Sequence, residues 1–267
     1  MPKKTKPTPY LISAQKVILY RGPSLLDQAP IVVIGLPGSD NIKTGNMSQT
    51  YILREDMHPM DANRLGEDYS ICGNCLHRGT PNPSKASGTA DNRSCYVALF
   101  QGPSKVYAAF KQGKYTDITS SPEQIREWGK GKNIRLGTYG DPAAVPHSLW
   151  DNLLQGATSW TGYSHQMQAA GAAYNPRFMM ASADSKAQAQ AFHAQGYRTF
   201  RVIPLQTWQE AGKGSLLQNE VLCPASAESS AQGVTCERCK LCQGSSIEAK
   251  SIAIVAHGSG KKHHRGE

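Results

Sequence analysis

Short apolar runs recur along the chain, rich in β-branched and aromatic residues and closed by Gly, Pro or Asp, which is the signature of strands ending in turns. The first is Val17–Tyr20. Ile31–Gly35 (IVVIG), Tyr51–Arg54 (YILR) and Tyr96–Phe100 (YVALF) follow. A Gly-Pro turn then leads into a helical pattern over 106–112. Ser121 stands before Pro122 and Glu123, so its hydroxyl can accept from the free N–H groups of a first turn that proline is shaped to begin. This predicts a helix over 122–129. Ile134–Thr138 (IRLGT) reads as a strand closed by Tyr139-Gly140-Asp141-Pro142. Residues 147–156 read as helix, Thr158–Ser164 and Phe178–Ala181 as strands, and Asp184–Gln195 as a helix ended by Gly196. Thr199–Ile203, Glu220–Cys223 and Ile252–Ala256 complete the set.

Strands alternating with helices build βαβ units and a largely parallel sheet. From Ile31 onward there are about eight candidate strands, the number of a (β/α) barrel. The expected fold is therefore α/β, barrel-like and TIM-type, complete or not, with cysteine-rich metal-binding loops. An open doubly wound α/β sheet is the alternative. The expected organisation is a flexible basic arm over 1–15, one barrel-like domain over 16–258 and a basic tail over 259–267.

Of 267 residues, 39% are hydrophobic and only 18% are charged. The formal net charge is +9, part of it at the ends in Lys3, Lys4, Lys6, Lys261, Lys262 and Arg265. Such an excess attracts polyanions, so nucleic acid is one partner the composition allows. No apolar run approaches the roughly 18 residues of a membrane span. The basic start has no apolar stretch behind it, unlike a secretion signal. A soluble intracellular protein without a membrane partner is expected. Nothing in the sequence sets an oligomeric state.

Seven cysteines in such a chain read as metal ligands rather than disulfides. Cys223, Cys236, Cys239 and Cys242 follow the pattern C-x12-C-x2-C-x2-C, with Pro224 after the first. Two-residue gaps let successive sulfurs face one centre on a tight loop. Three close cysteines and a distant fourth beside proline suit a [4Fe-4S] cluster. Tetrahedral zinc would use the same thiolates. Cys72 and Cys75 form a second CxxC, with His77 beyond it and Cys95 further on. Three thiolates can hold a second cluster with one iron open, as enzymes that bind S-adenosylmethionine do. Alternatively His77 completes a Cys3His zinc site, or another residue does.

In a barrel, residues just past the strand ends line the active face. Three groups fall there: Thr138, Tyr139 and Asp141; Tyr163, His165 and Gln166; Ser182 and Asp184. Tyr139, Asp141, His165 and Asp184 are candidates for chemistry, a His–Asp pairing being suited to proton transfer. Thr138, Tyr163 and Ser182 are candidates for holding a small-molecule cofactor. Asp141 before proline and Asp184 before a helix also suit simple turn-closing and capping roles. The nucleophile elbow, the zinc-protease helix motif, the phosphate-loop motif and the deaminase signature are all missing. Lys43-Thr44-Gly45 reads as an ordinary turn.

The runs KTGNMSQTYILRED, SICGNCLHRG with SCYVALFQGP, RLGTYGDPAAVP, WTGYSHQ and the closing CPAS…TC..C..C.G resemble a group of bacteriophage proteins of uncharacterised function. That group is similar to phage proteins described as radical-SAM-like. The resemblance spans roughly residues 30–257. It implies phage origin, a host-cytoplasmic location, a barrel-like α/β fold and iron–sulfur chemistry at Cys72, Cys75 and Cys95 and at Cys223, Cys236, Cys239 and Cys242. The usual C-x3-C-x2-C motif of radical S-adenosylmethionine enzymes is absent. Three functions are compatible: a radical-SAM-like enzyme acting on a nucleotide, a DNA base or another substrate; a nucleic-acid binder with a structural metal; and a protein that engages a host partner.

Overall fold

In the computed structural model, residues 12–38, 41–169, 171–231 and 233–264 are described. Most of the expected basic arm, and the last residues of the expected tail, lie outside them. Ile12, within the stretch expected to be an arm, is buried in the main core.

Among the described residues, eleven strands form two open sheets. In the first, the order is β4 (Thr116–Asp117), β1 (Val17–Pro23), β2 (Pro30–Leu36), β3 (Ser48–Arg54), β5 (Asn133–Tyr139) and β6 (Ser159–Thr161). β1, β2 and β3 pair antiparallel, whereas β3, β5 and β6 pair parallel. In the second, β10 (Glu220–Leu222), β11 (Ser251–Val255), β9 (Thr199–Ile203), β8 (Met180–Ala183) and β7 (Tyr163–Ser164) are all parallel. Only Gly162 separates β6 from β7. Its N–H donates to the Cys242 carbonyl at 3.3 Å and its carbonyl accepts from the Met180 N–H at 2.9 Å. One sheet thus continues into the other.

The expected barrel is not closed. The outer strands β4 and β10 do not pair with each other. Residues 24–29 link β1 to β2, too short a connection for a parallel crossover. That flank is therefore antiparallel and contributes no βαβ unit. A single doubly wound sheet is not formed either.

The main core lies around the first sheet. Ile31, Val32, Val33 and Ile34 are all fully buried, as expected of an unbroken apolar strand covered on both faces. The helix Pro122–Gly129 begins as its sequence predicts, with Ser121 Oγ accepting from the Gln124 N–H. It packs against the helix His147–Leu154, and a Cβ on Gly129 would overlap the Leu153 carbonyl. Arg201 of β9 is buried on the face away from the cavity described below. There it donates to both carboxylate oxygens of buried Glu220 at 2.8 and 2.6 Å.

Some expected boundaries move. Tyr96–Phe100 is not a strand. Leu99 is buried, but Tyr96 and Phe100 are exposed, so no single face serves the core. The backbone there instead ties back to the CxxC loop, Ser94 and Cys95 N–H both donating to the His77 carbonyl. The next helix starts early, at Gly102. The expected helix at 184 begins at Lys186, and Ser185 is its cap, accepting from the Gln188 N–H at 3.1 Å. No helix among the described residues is long and apolar enough to cross a membrane.

Candidate metal centre

Successive residues of a strand face opposite ways, so alternate positions share a surface. Arg135, Gly137 and Tyr139 of β5, Thr161 of β6, Tyr163 of β7, Ser182 of β8, Phe200 and Val202 of β9 and Ile252 and Ile254 of β11 line one cavity of about 350 Å³. It lies on the face that a closed barrel would fill with side chains. All seven cysteines line it, as free thiols.

The C-terminal cysteines arrive on a loop that is fastened from three sides. Arg198 is buried and donates to four carbonyls: Leu241, Gly244, Ala249 and Lys250, at 2.6 to 2.8 Å. The Lys43-Thr44 turn accepts from the N–H groups of Cys236 and Glu237, which open the short helix Cys236–Cys239. The Glu237 carboxylate reaches back to the Asn46 N–H at 3.0 Å. Cys223 leaves β10 with its N–H on the Ala253 carbonyl at 2.7 Å. Burial, reinforced by the neighbouring sulfurs, pushes the Cys223 thiol up to about 11 and the Cys242 thiol up to about 12. Burial, with Cys242 beside it, pushes the Tyr163 hydroxyl well above its ordinary value.

The N-terminal CxxC follows the helix Tyr69–Cys72. Gln166 spans its turn like a peptide unit, Nε2 donating to the Cys72 carbonyl at 2.9 Å and Oε1 accepting from the Asn74 N–H at 3.2 Å. Burial, followed by the charge of Asp68, raises the Cys72 thiol well above its ordinary value. Asp68 is itself occupied by Arg78 and Asn63.

Beside this loop, His77, His165 and Asp184 converge. Asp184 Oδ1 lies 3.0 Å from His77 Nε2 and 3.3 Å from His165 Nε2. Among the described residues these form the one group of three or more Cys, His, Asp or Glu side chains whose donor atoms all lie within 4.8 Å of one another. Neither cysteine set is that tight, and His77 joins His165 and Asp184 rather than completing a set with Cys72, Cys75 and Cys95. Burial alone would raise the Asp184 carboxyl, but the hydrogen bond and charge of His165, with His77 beside it, hold it well below the carboxylate range. Burial opposes charge on His165, yet Cys75 and Asp184 raise it well above the ordinary imidazole value. Cys75 Sγ stands 4.0 Å from His165 Nε2.

The chain matches no family model, no curated protein and no solved structure. Its residues alone carry the functional argument.

Of the candidates read from strand ends, Thr138, Tyr139, Asp141, Tyr163, His165 and Ser182 line the cavity. Asp184 sits against it, behind the two histidines. Asp141 accepts from the N–H groups of Ala143 and His165, so it closes its turn and positions His165 together. Thr138 donates to Gln49 Oε1 at 2.6 Å. The Tyr139 hydroxyl is buried with no hydrogen-bond partner. Sequence reasoning missed Arg135, Arg93, Lys43 and His264, which also line the cavity. Arg135 alternates with Gly137 and Tyr139 on an expected strand, so its orientation was available from period two. His264, in the expected tail, had no such signal.

Proposed function

We propose that this chain is an iron–sulfur enzyme that acts on a small anionic substrate, a nucleotide being the class favoured, with chemistry of the radical-SAM type. The observation that carries the reading is the convergence of all seven cysteines, from four separate stretches of chain, on one cavity along parallel strands. Cys223, Cys236, Cys239 and Cys242 would hold the [4Fe-4S] cluster. Cys72, Cys75 and Cys95 would hold a second, with one iron left for S-adenosylmethionine.

The C-x2-C-x2-C run of Cys236, Cys239 and Cys242 favours a cluster over zinc, whose structural sites more often pair two separated CxxC units. Zinc–sulfur bonds of about 2.3 Å would bring four thiolates to roughly 3.8 Å from one another. No three cysteine sulfurs among the described residues lie within 4.8 Å. A cluster would bind each thiolate through a different iron, so its sulfurs would stand further apart than those on a single zinc.

When bound, the cluster supplies one-electron transfer. The protein's own residues do the rest. Lys43, Arg93, Arg135 and Lys240 give the cavity a cationic lining suited to phosphate or carboxylate. The unpartnered Tyr139 hydroxyl offers a fixed donor to a bound molecule. A cavity of this size lies at the small-molecule end of ligand sites, which run from about 300 Å³ upward. The test is to reduce anaerobically purified protein and supply S-adenosylmethionine. Formation of 5′-deoxyadenosine supports the reading, and a reducible cluster that forms none removes the radical step.

The net charge of +9 favours a second reading, nucleic-acid binding with a structural metal. Retention of DNA or RNA that falls steeply with salt would support it, and no retention at about 50 mM salt would remove it.

A further inference from the structure

We infer that His77, His165 and Asp184 form a separate site for a single divalent transition-metal ion, with its open coordination positions facing the cavity. The inference does not depend on the cysteines.

Geometry is the first argument. Metal bonds to imidazole nitrogen and carboxylate oxygen run about 2.1 Å, which separates neighbouring ligand atoms by about 3.0 Å at a right angle and about 3.4 Å at a tetrahedral one. The two Nε2-to-Oδ1 distances here are 3.0 and 3.3 Å. Both Nε2 atoms lie beside the same carboxylate oxygen.

Hydrogen bonding is the second. His77 Nε2 is buried and, despite its 3.0 Å approach, lacks the alignment of a hydrogen bond to Asp184. Its other nitrogen, Nδ1, is engaged by Ser94 Oγ at 2.8 Å. In the tautomer whose Nδ1–H donates to Ser94, Nε2 carries a bare lone pair that points off the line to Asp184 Oδ1, as the lone pairs of two ligands at about a right angle on one ion do. Two such acceptors repel unless a cation lies between them.

The supporting shell is the third. Ligating histidines usually have their second nitrogen fixed by a hydrogen bond, and Ser94 does this for His77. The backbone N–H of His165 donates to Asp141 Oδ2 at 2.8 Å, which fixes the chain that carries the ring. The Asp184 N–H is held by Gln188 Oε1 at 2.8 Å. The His264 ring packs on His77 with centroids 4.8 Å apart.

The donor set selects the ion. Two imidazoles and a carboxylate suit zinc or ferrous iron, whereas calcium and magnesium prefer all-oxygen sites. Because His77 and His165 line the cavity, the remaining positions are open to a ligand there, as in catalytic rather than structural sites.

The probe is Co²⁺ titrated into the full chain after anaerobic loading of its iron and sulfide. The expected result is one further equivalent, with ligand-field bands and no sulfur-to-cobalt charge transfer. Asp184→Asn and His77→Gln should each lose that equivalent while iron and sulfide counts stay unchanged. Asp184→Glu, which keeps a carboxylate, should recover binding in part. Ser94→Ala should weaken affinity by about 10- to 100-fold. No cobalt taken up by the wild-type chain beyond the cysteine sets would overturn the site. So would undiminished uptake in both Asp184→Asn and His77→Gln. Loss of iron and sulfide without loss of the cobalt equivalent would count against the proposed function alone.

Discussion

Gln166 clasps the turn around Gly73, its carboxamide paired with the Cys72 carbonyl on one side and the Asn74 N–H on the other. Gly73 has φ 52°, and a Cβ there would overlap the Gln166 side chain. Gly73→Ala should therefore cost about 1–3 kcal/mol. It should also displace Cys75 from the cavity wall. Thermal unfolding measures the first effect and thiol-reagent accessibility the second. Unchanged melting and reactivity would show that the turn tolerates a side chain.

Arg198 should govern the C-terminal cysteine loop. Its four carbonyl acceptors come from three separate points on that loop and the approach to β11. A lysine cannot reproduce a planar fork with several fixed donors. Arg198→Lys and Arg198→Met should both lower iron content and expose residues 241–250 to protease, the Met variant more so. Intact iron loading in Arg198→Met would contradict this role.

Arg201 and Glu220 supply the matching control on the opposite face. Removing one partner of a buried pair leaves an uncompensated charge, at about 3–5 kcal/mol. Arg201→Ala should lose that much stability in denaturant unfolding. The double variant Arg201→Met with Glu220→Leu should recover most of it. A double variant no better than the single one would show that the pair is not the source of the loss.

The pH dependence of stability should carry a signature of Lys132. Its ammonium lies 3.7 Å from the Trp128 ring centre and donates to the Ser13 carbonyl at 2.6 Å. Burial pulls its pKa down to about 8. The unfolded value is about 10.4, so between these values the unfolded chain binds more protons than the folded one. The wild-type chain should therefore gain stability relative to Lys132→Met as pH rises from about 8 to about 10. Paired urea titrations across that range measure the difference. A constant or falling difference would contradict the lowered pKa.

Legibility in the sequence followed the range of the interactions. Ser121 and Pro122 marked a helix start because capping is local, and Ile31–Ile34 marked a buried strand by its unbroken apolar run. Tyr96–Phe100 misled because its apolar residues serve no shared face. The open architecture was hidden because barrel closure depends on whether the outermost strands meet. Strand-end logic found His165 and Asp184. It could not see that Ser185 would take the cap and free the Asp184 carboxylate. Nor could it bring His77 to them, since that contact joins distant stretches of chain. The cysteine spacings were plain, but that both sets share one cavity depends on Gly162 carrying one sheet into the next.

The most direct test of the account is the inorganic content of the chain purified without oxygen. Iron, acid-labile sulfide and zinc should be counted per chain, alongside the visible absorption spectrum. The account predicts iron and sulfide in equal numbers, about four of each for one cluster or about eight for two, with loss of the set held by Cys236 and Cys239 when both become alanine. A wild-type chain that carries no sulfide and cannot be reconstituted with iron would contradict it.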